Sequence, residues 1–287
     1  MTGGAGMLGS QVLRTVPDDL TGVGTDLREA PGVESVGVDV ADEAAVARLF
    51  EAHGPFTGVI HTAAYTEVDR AEDEEKLAMR VNADACGVIA AACAGAGIPL
   101  VVVGTDFVFD GRNDRPYTEA DATNPLSAYA RTKLEGERQA FAAHPAGTRV
   151  VRTQWLYGPR GKHFPATILR LAAERKSLQV VADQVGSPTS TLELAPALWD
   201  VLCHGEAGVY HATCEGQCSW YDLAVAVVEA RGIVDVEVQP CSTADFPRPA
   251  VRPAYSVLDC SRLTALRGRP MADWRDALKS YLESEEE

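Results

Sequence analysis

Tyr129 and Lys133, in the stretch Tyr-Ala-Arg-Thr-Lys, stand four residues apart, and on a helix that spacing puts both side chains on one face. A free tyrosine holds its proton to about pH 10, and a cation beneath the ring favours the phenolate, drawing the group toward general acid chemistry. Thr105, upstream in the sequence, supplies a second hydrogen-bonding hydroxyl. The same spacing also arises on ordinary solvated helix faces, so its meaning depends on the elements that carry it.

Those elements begin with glycines at 3, 6 and 9, followed by the helical apolar pattern of Val12, Leu13 and Val16. Glycines let a backbone turn tightly and approach a pyrophosphate, whose charge is met by free N–H groups at the start of the following helix. Asp26, at the end of a short strand over 21–25, is the acidic residue that a dinucleotide site uses on a ribose, and Arg28 two residues on is a cation for a 2′-phosphate. The competing reading is a simple glycine-rich helix entry. Only Met1 and Thr2 precede Gly3, so the chain is expected to lack the first, central strand, as if its start lay too far downstream. That absence predicts a gap several side chains deep and a strained or rearranged nucleotide site.

Strand and helix then alternate. Residues 33–38 read as a strand, Asp42 as the cap of a helix through Phe50, and 58–61 as a buried strand followed by the small residues Thr62, Ala63 and Ala64. His61 reads as a strand-end residue. A helical stretch over 76–96 carries Asn82, and residues 99–103 form a nearly continuous apolar strand ending at Thr105. Ligands of open α/β sheets sit at such carboxyl ends, so Thr105 and Asp106 are expected to face the crevice above the glycine loop. Another strand, 148–153, stops just before Trp155, after which Pro159, Gly161, Pro165, Gly186 and Pro188 break the pattern. Helices are expected near 191–202, 219–230 and 274–282. The segment Phe-Pro-Arg-Pro-Ala-Val-Arg-Pro at 246–253 must be a stiff loop. Its arginines are either a diphosphate clamp or plain surface charges.

The expected fold is α/β: a Rossmann-type doubly wound parallel sheet over 1–154, carrying the Tyr129–Lys133 helix, with a smaller C-terminal substrate-binding part over 155–287 that sends segments back to the first. Formal net charge is −15, with 41 acidic against 26 basic residues, which argues against a nucleic-acid partner. The seven cysteines are scattered and expected to be reduced thiols. No apolar run approaches the roughly 20 residues that span a bilayer, so no membrane association and a cytoplasmic location are expected. The acidic end at 283–287 is expected to fray.

The motifs together resemble the dTDP-4-dehydrorhamnose reductase family of the extended short-chain dehydrogenase/reductase superfamily. The resemblance rests on residues 2–9, on 61–72 (His-Thr-Ala-Ala-Tyr-Thr-Glu-Val-Asp-Arg-Ala-Glu), on 104–111, and on Tyr129 to Lys133. It continues through 152–157, 183–189 (Asp-Gln-Val-Gly-Ser-Pro-Thr), 208–212, the 246–253 loop, Ser256 and Leu258-Asp259. It implies NAD(P)H-dependent reduction of the C4 ketone of a dTDP-linked 6-deoxy-4-keto sugar. Tyr129 would donate the proton, Thr105 hydrogen-bond the carbonyl oxygen, and Lys133 hold the cofactor ribose. Gly3, Gly6, Met7 and Leu8 would meet the pyrophosphate and Asp39 and Val40 the adenine. Ala63, Ala64, Tyr65 and Asn82 would line the cofactor path. Val68, Asp106, Trp155 and Arg252 are the substrate candidates. Asp26 favours NADH and Arg28 NADPH; either cofactor is expected to serve, NADPH slightly preferred. Some relatives form Mg2+-bridged dimers, but no motif here assigns the carboxylates, so monomer and homodimer both stay open. His61-Thr62 replaces a frequent Asn-Ala and Gly104 a common serine. Two other readings share these motifs: a reductase for another deoxysugar, of the dihydrostreptose or 6-deoxytalose type, and a dinucleotide-binding regulator like the regulatory subunit of methionine adenosyltransferase.

Overall fold

The computed structural model describes residues 1–284; the last residues of the acidic end, 285–287, lie outside the described residues. Its first part alternates α1 (Met7–Arg14), β1 (Gly24–Asp26), β2 (Val33–Val36), α2 (Glu43–His53), β3 (Val59–His61), α3 (Glu75–Met79), α4 (Ala85–Ala96), β4 (Leu100–Thr105), α5 (Ala128–Ala143) and β5 (Thr148–Thr153). The rest of the chain adds β6 (Leu156–Tyr157), α6 (Phe164–Glu174), β7 (Ser177–Val181), β8 (Val185–Gly186), β9 (Thr189–Ser190) and α7 (Thr191–His204). It closes with β10 (Gly208–His211), β11 (Cys218–Ser219), α8 (Trp220–Ala230), β12 (Glu237–Cys241), α9 (Ser261–Arg267) and α10 (Trp274–Ser284).

β3, β4, β5 and β10 form a parallel sheet in the order β10-β5-β4-β3, so a strand from beyond residue 155 completes the sheet of the first part. The sheet is covered on both faces, which is why its strands read as unbroken apolar runs. Val101 and Val151 pack into a core with Leu8, Val12, Leu194 and Leu198, whereas Leu100, Val102 and Val150 pack the other way against Cys86, Ile89 and Cys93. α7 lies along α1, and the Trp199 indole N–H donates to the Val12 carbonyl at 3.0 Å.

The expected loss of the first strand is corrected in part. Thr2 forms parallel bridges to both Thr25 and His61, so it occupies the slot between β1 and β3 for a single residue. Thr2 N–H donates to the Ile60 carbonyl at 3.1 Å, Thr25 N–H to the Met1 carbonyl at 2.9 Å, and Thr62 N–H to the Thr2 carbonyl at 3.3 Å. Beside Met1 the slot is an apolar hollow lined by Val23, Leu49, Phe50, Phe56, Val59 and Ile89. The glycine loop beyond it is not strained as expected. Among the described residues the non-glycine positions with positive φ are Trp155 and Arg160, far along the chain.

The helical stretch Glu75–Ala96 also amends the reading of the sequence, since by length and composition it passes the test for a bilayer span. It is a core helix. Ala78, Asn82, Ala83, Cys86, Ile89, Ala90 and Cys93 are buried, and it packs along α5. Its apolar character comes from burial on one side and small residues on the other. The second part builds a smaller layer around the parallel pair β7–β12, with α6 and α8 packed against it.

Candidate active site

The glycine loop is shaped by contacts that a side chain would forbid. Gly3 adopts φ +71°, and a Cβ there would come within 2.6 Å of the Ala63 nitrogen. A Cβ on Gly9 would run into the Gly3 carbonyl oxygen. Gly6 caps α1 without any side-chain hydrogen bond, so the first N–H groups of that helix are left for an anion, as a pyrophosphate site requires. Ala63 passes directly beside Gly3, with Ala64 and Tyr65 following. The chain therefore fits a dinucleotide: a cradle that only glycine leaves open, at a helix N-terminus, beside a run of small residues.

Asp26 is more occupied than expected of a ribose acceptor. One of its oxygens accepts from Ala5 N–H and the other from Arg28 N–H, both at 3.0 Å, so the carboxylate braces the glycine loop. The Arg28 guanidinium lies 3.7 Å from Asp26, and its side chain is 74% exposed. Asp39 pairs with Arg80, which holds its carboxyl below the usual range, and also accepts from Ala41 N–H. Val40 beside it is half-buried.

Asn82 lies in a short π-helical turn, Arg80–Asp84, inside the long helical stretch. Such turns are common at functional sites. Its amide accepts from Tyr65 N–H at 2.8 Å and donates to the Tyr65 carbonyl at 3.1 Å and to Thr132 Oγ1 at 3.0 Å. Asn82 thus ties the Ala63–Tyr65 turn to the helix that carries Tyr129 and Lys133.

β4 delivers Thr105 at its carboxyl end, and Ser127 caps α5 by accepting from Ala130 N–H, which fixes Tyr129 in the first turn. The Thr105 hydroxyl lies near the Tyr129 phenol, donates to Asp106 Oδ1 at 3.1 Å and accepts from Phe107 N–H at 3.2 Å, and Phe107 packs edge-on against the Tyr129 ring at 5.8 Å. Lys133, buried on the same helix, donates from Nζ to the Val103 carbonyl at 2.7 Å.

The electrostatics differ from the expectation that Lys133 lowers the pKa of Tyr129. Burial pushes the Tyr129 phenol up to about 12; the nearby Thr105 hydroxyl works against this and the Asp106 carboxylate with it. Lys133 plays no part there because its ammonium is turned to Val103, and burial lowers its own pKa. In this structure Tyr129 is a firmly protonated phenol.

Asp106 is buried and accepts from Thr105 Oγ1 at 3.1 Å, with Ser256 close by; its Oδ2 has no partner. Burial pushes its carboxyl up to about 7. Between its unfolded value near 4 and that folded value, the native state holds one more proton than the unfolded chain, so this group makes stability fall as pH rises through that window. Asp106→Asn removes that loss. Its Tm relative to the parent is expected to improve from pH 5 to pH 8 in paired thermal unfolding scans; a constant difference would mean that Asp106 is ionised throughout.

Ser256 and Gln154 had no role in the sequence reading, although both lie in the stretches that carried the resemblance. Gln154 donates to the Ser256 carbonyl at 2.8 Å and accepts from Ser187 N–H at 2.7 Å, linking the end of β5 to the 183–189 segment. Trp155 follows at φ +48°. Thr105, Asp106, Tyr129 and Trp155 therefore converge at the carboxyl ends of β4 and β5, where Thr105 is paired with Thr153. Val68 sits half-buried on the neighbouring turn. Arg252 is held away from the role of a free clamp: Asp69 takes both its terminal nitrogens, with Nη2 at 2.9 Å from Oδ2. Arg248 lies 3.9 Å from the same carboxylate. Asp69 was missed because its partners Arg248 and Arg252 are far along the chain, Arg252 by 183 residues.

The family model described as the RmlD substrate binding domain matches residues 1–287. The dTDP-4-dehydrorhamnose reductase of Mycolicibacterium smegmatis is 43% identical over 282 residues, covering 97% of this chain and 83% of the relative. A solved dTDP-4-dehydrorhamnose reductase from Clostridium acetobutylicum superposes with a TM-score of 0.92 at 39% identity, covering 100% of this chain and 98% of that one. The Bacillus anthracis dTDP-4-dehydrorhamnose reductase solved in complex with NADP gives 0.91 at 32% identity, covering 99% and 97%. A full-length family match, together with a shared parallel sheet and the convergence of Thr105, Tyr129 and Lys133 on its crevice, makes this chain a member of the dTDP-4-dehydrorhamnose reductase family.

Proposed function

We propose that this protein reduces the C4 ketone of dTDP-4-dehydrorhamnose to dTDP-L-rhamnose with NADPH, and with NADH less well. The observation that supports this is the nearness of Thr105 to the Tyr129 phenol, with Lys133 buried on the same helix, in a chain that also has an open glycine cradle. The nicotinamide cofactor, when bound, supplies the hydride. The residues do the rest.

The α1 N-terminus and residues Gly3, Gly6, Met7 and Leu8 hold the pyrophosphate, with Ala63, Ala64 and Tyr65 shaping the path toward the site. Arg28 is the exposed cation for a 2′-phosphate, and the engagement of Asp26 with Ala5 and Arg28 lessens its pull on a bare ribose. NADPH is therefore favoured. Asp39 and Val40 flank the adenine side. Thr105 and Tyr129 form the pair that receives the ketone oxygen, Thr105 by hydrogen bond and Tyr129 by giving up its proton as negative charge develops there. A phenol near 12 still protonates a sugar alkoxide, whose conjugate acid is weaker. Lys133 holds the cofactor ribose by exchanging its bond to Val103. Val68, Asp106, Trp155 and Arg252 line the sugar-nucleotide side, Trp155 as a flat apolar surface and Arg252 as a cation that meets diphosphate only by exchanging a bond to Asp69. Residues 1–154 form the cofactor part and 155–287 mainly the substrate part, with β10 returning to the first.

The test is cofactor oxidation by the purified protein with dTDP-4-dehydrorhamnose, then with other dTDP-4-keto-6-deoxy sugars. Rapid turnover with the first and slow turnover with the others supports the reading. Turnover with another sugar alone moves the assignment to that sugar, and turnover with none favours a dinucleotide-binding role.

A further inference from the structure

Trp155 is a large side chain at φ +48°, a backbone state that costs about 1–2 kcal/mol outside glycine and persists only where the surroundings enforce it. Two features enforce it here. Gly186 leaves the room: a Cβ at that position would lie 2.7 Å from Cε2 of the Trp155 ring. Trp220 supplies the support, its indole stacked on Trp155 with ring centroids 3.6 Å apart and planes 13° from parallel.

Trp220 is itself held at several points. It is the first residue of α8, directly after Ser219, which pairs with Val185 of β8 and forms a reciprocal capping box with Asp222. Phe164 packs on it at 4.7 Å. Its indole N–H donates to Gln184 Oε1 at 3.2 Å, Gln184 Nε2 donates to Thr243 Oγ1 at 2.9 Å, and Thr243 Oγ1 donates to Asp183 at 2.6 Å. The Thr243 proton goes to Asp183, so Thr243 accepts from Gln184, and the Gln184 oxygen is thereby turned to the indole. The Asp-Gln-Val-Gly segment is thus a frame for two stacked tryptophans.

We propose that Trp220 is a positioning residue for the sugar end of the substrate site. Stacked on Trp155, it holds that ring in its left-handed backbone state beside the crevice of Thr105, Asp106 and Tyr129. This rests on reading the site as a dTDP-sugar 4-ketoreductase. Trp220 does not touch the reacting atoms; it sets the surface that the sugar meets and leaves the cofactor side unchanged.

The experiment measures KM for dTDP-4-dehydrorhamnose and for NADPH separately in the parent, Trp220→Leu, Trp220→Phe and Gln184→Met, with the indole exciton couplet followed by circular dichroism. Expected for Trp220→Leu are loss of the couplet, a sugar KM raised roughly three- to tenfold, the range an aromatic pair is worth, and an unchanged NADPH KM. Trp220→Phe recovers part of the sugar KM, and Gln184→Met shifts it in the same direction by less. If Trp220→Leu does not fold, the other two variants carry the test. An unchanged sugar KM with the couplet lost overturns the proposal, as does an equal rise in both KM values. Absence of turnover in the parent instead sinks the reductase reading, and the proposal with it.

Discussion

Tyr129→Phe is expected to lower kcat by about 10²–10⁴ while leaving Tm and NADPH affinity near those of the parent. The ring keeps its edge-on contact with Phe107 and its place in the first turn of α5, so the substitution removes little beyond the O–H. That O–H lies beside the Thr105 hydroxyl, and burial keeps it protonated, as a donor must be. The loss should fall equally on kcat and kcat/KM, because the proton is needed as the alkoxide forms and not when the ketone binds. Steady-state rates beside thermal unfolding scans make the check. Full turnover in the variant would remove Tyr129 from the chemistry.

Gly9→Ala is expected to weaken NADPH binding by about tenfold or more and to destabilise the fold by about 1–3 kcal/mol. The added methyl would run into the Gly3 carbonyl oxygen and come within 3.0 Å of Thr62 Oγ1, so the loop must open. Opening it moves Gly3, whose left-handed backbone brings the loop against Ala63. Both effects follow from one displacement. Calorimetric titration with NADPH and a thermal scan read them separately, and a variant that binds NADPH like the parent would show that the loop is not the pyrophosphate cradle.

The parallel sheet was legible because buried parallel strands announce themselves as apolar runs, as residues 99–103 do, and the place of Thr105 because it falls at the end of one. The core helix Glu75–Ala96 was legible as a helix. Its bounds came out within a residue, but its apolar character was under-read, because its hydropathy comes from many alanines and not from a run of large apolar side chains. Less legible was anything set by partners distant in sequence. Asp69 and Arg252 are 183 residues apart, Gln154 and Ser256 are 102, and no local pattern pairs them. The Tyr129–Lys133 spacing correctly placed both groups on one face. It could not tell that the ammonium turns to Val103 and that burial, not the cation, dominates the phenol. The two residues before Gly3 looked too few for a strand, yet a single residue with a parallel bridge on each side fills the C-terminal end of that slot.

The central claim is hydride reduction at C4 of a dTDP-linked 4-keto sugar, and isotope transfer tests it most directly. NADPH deuterated at the transferring position of the nicotinamide is incubated with this protein and dTDP-4-dehydrorhamnose, and the sugar product is read by NMR. The account predicts one deuterium at C4 of dTDP-L-rhamnose, formed rapidly by the parent and at least about 100-fold more slowly by Tyr129→Phe. Deuterium at another carbon, or NADPH bound with no label transferred, would contradict it.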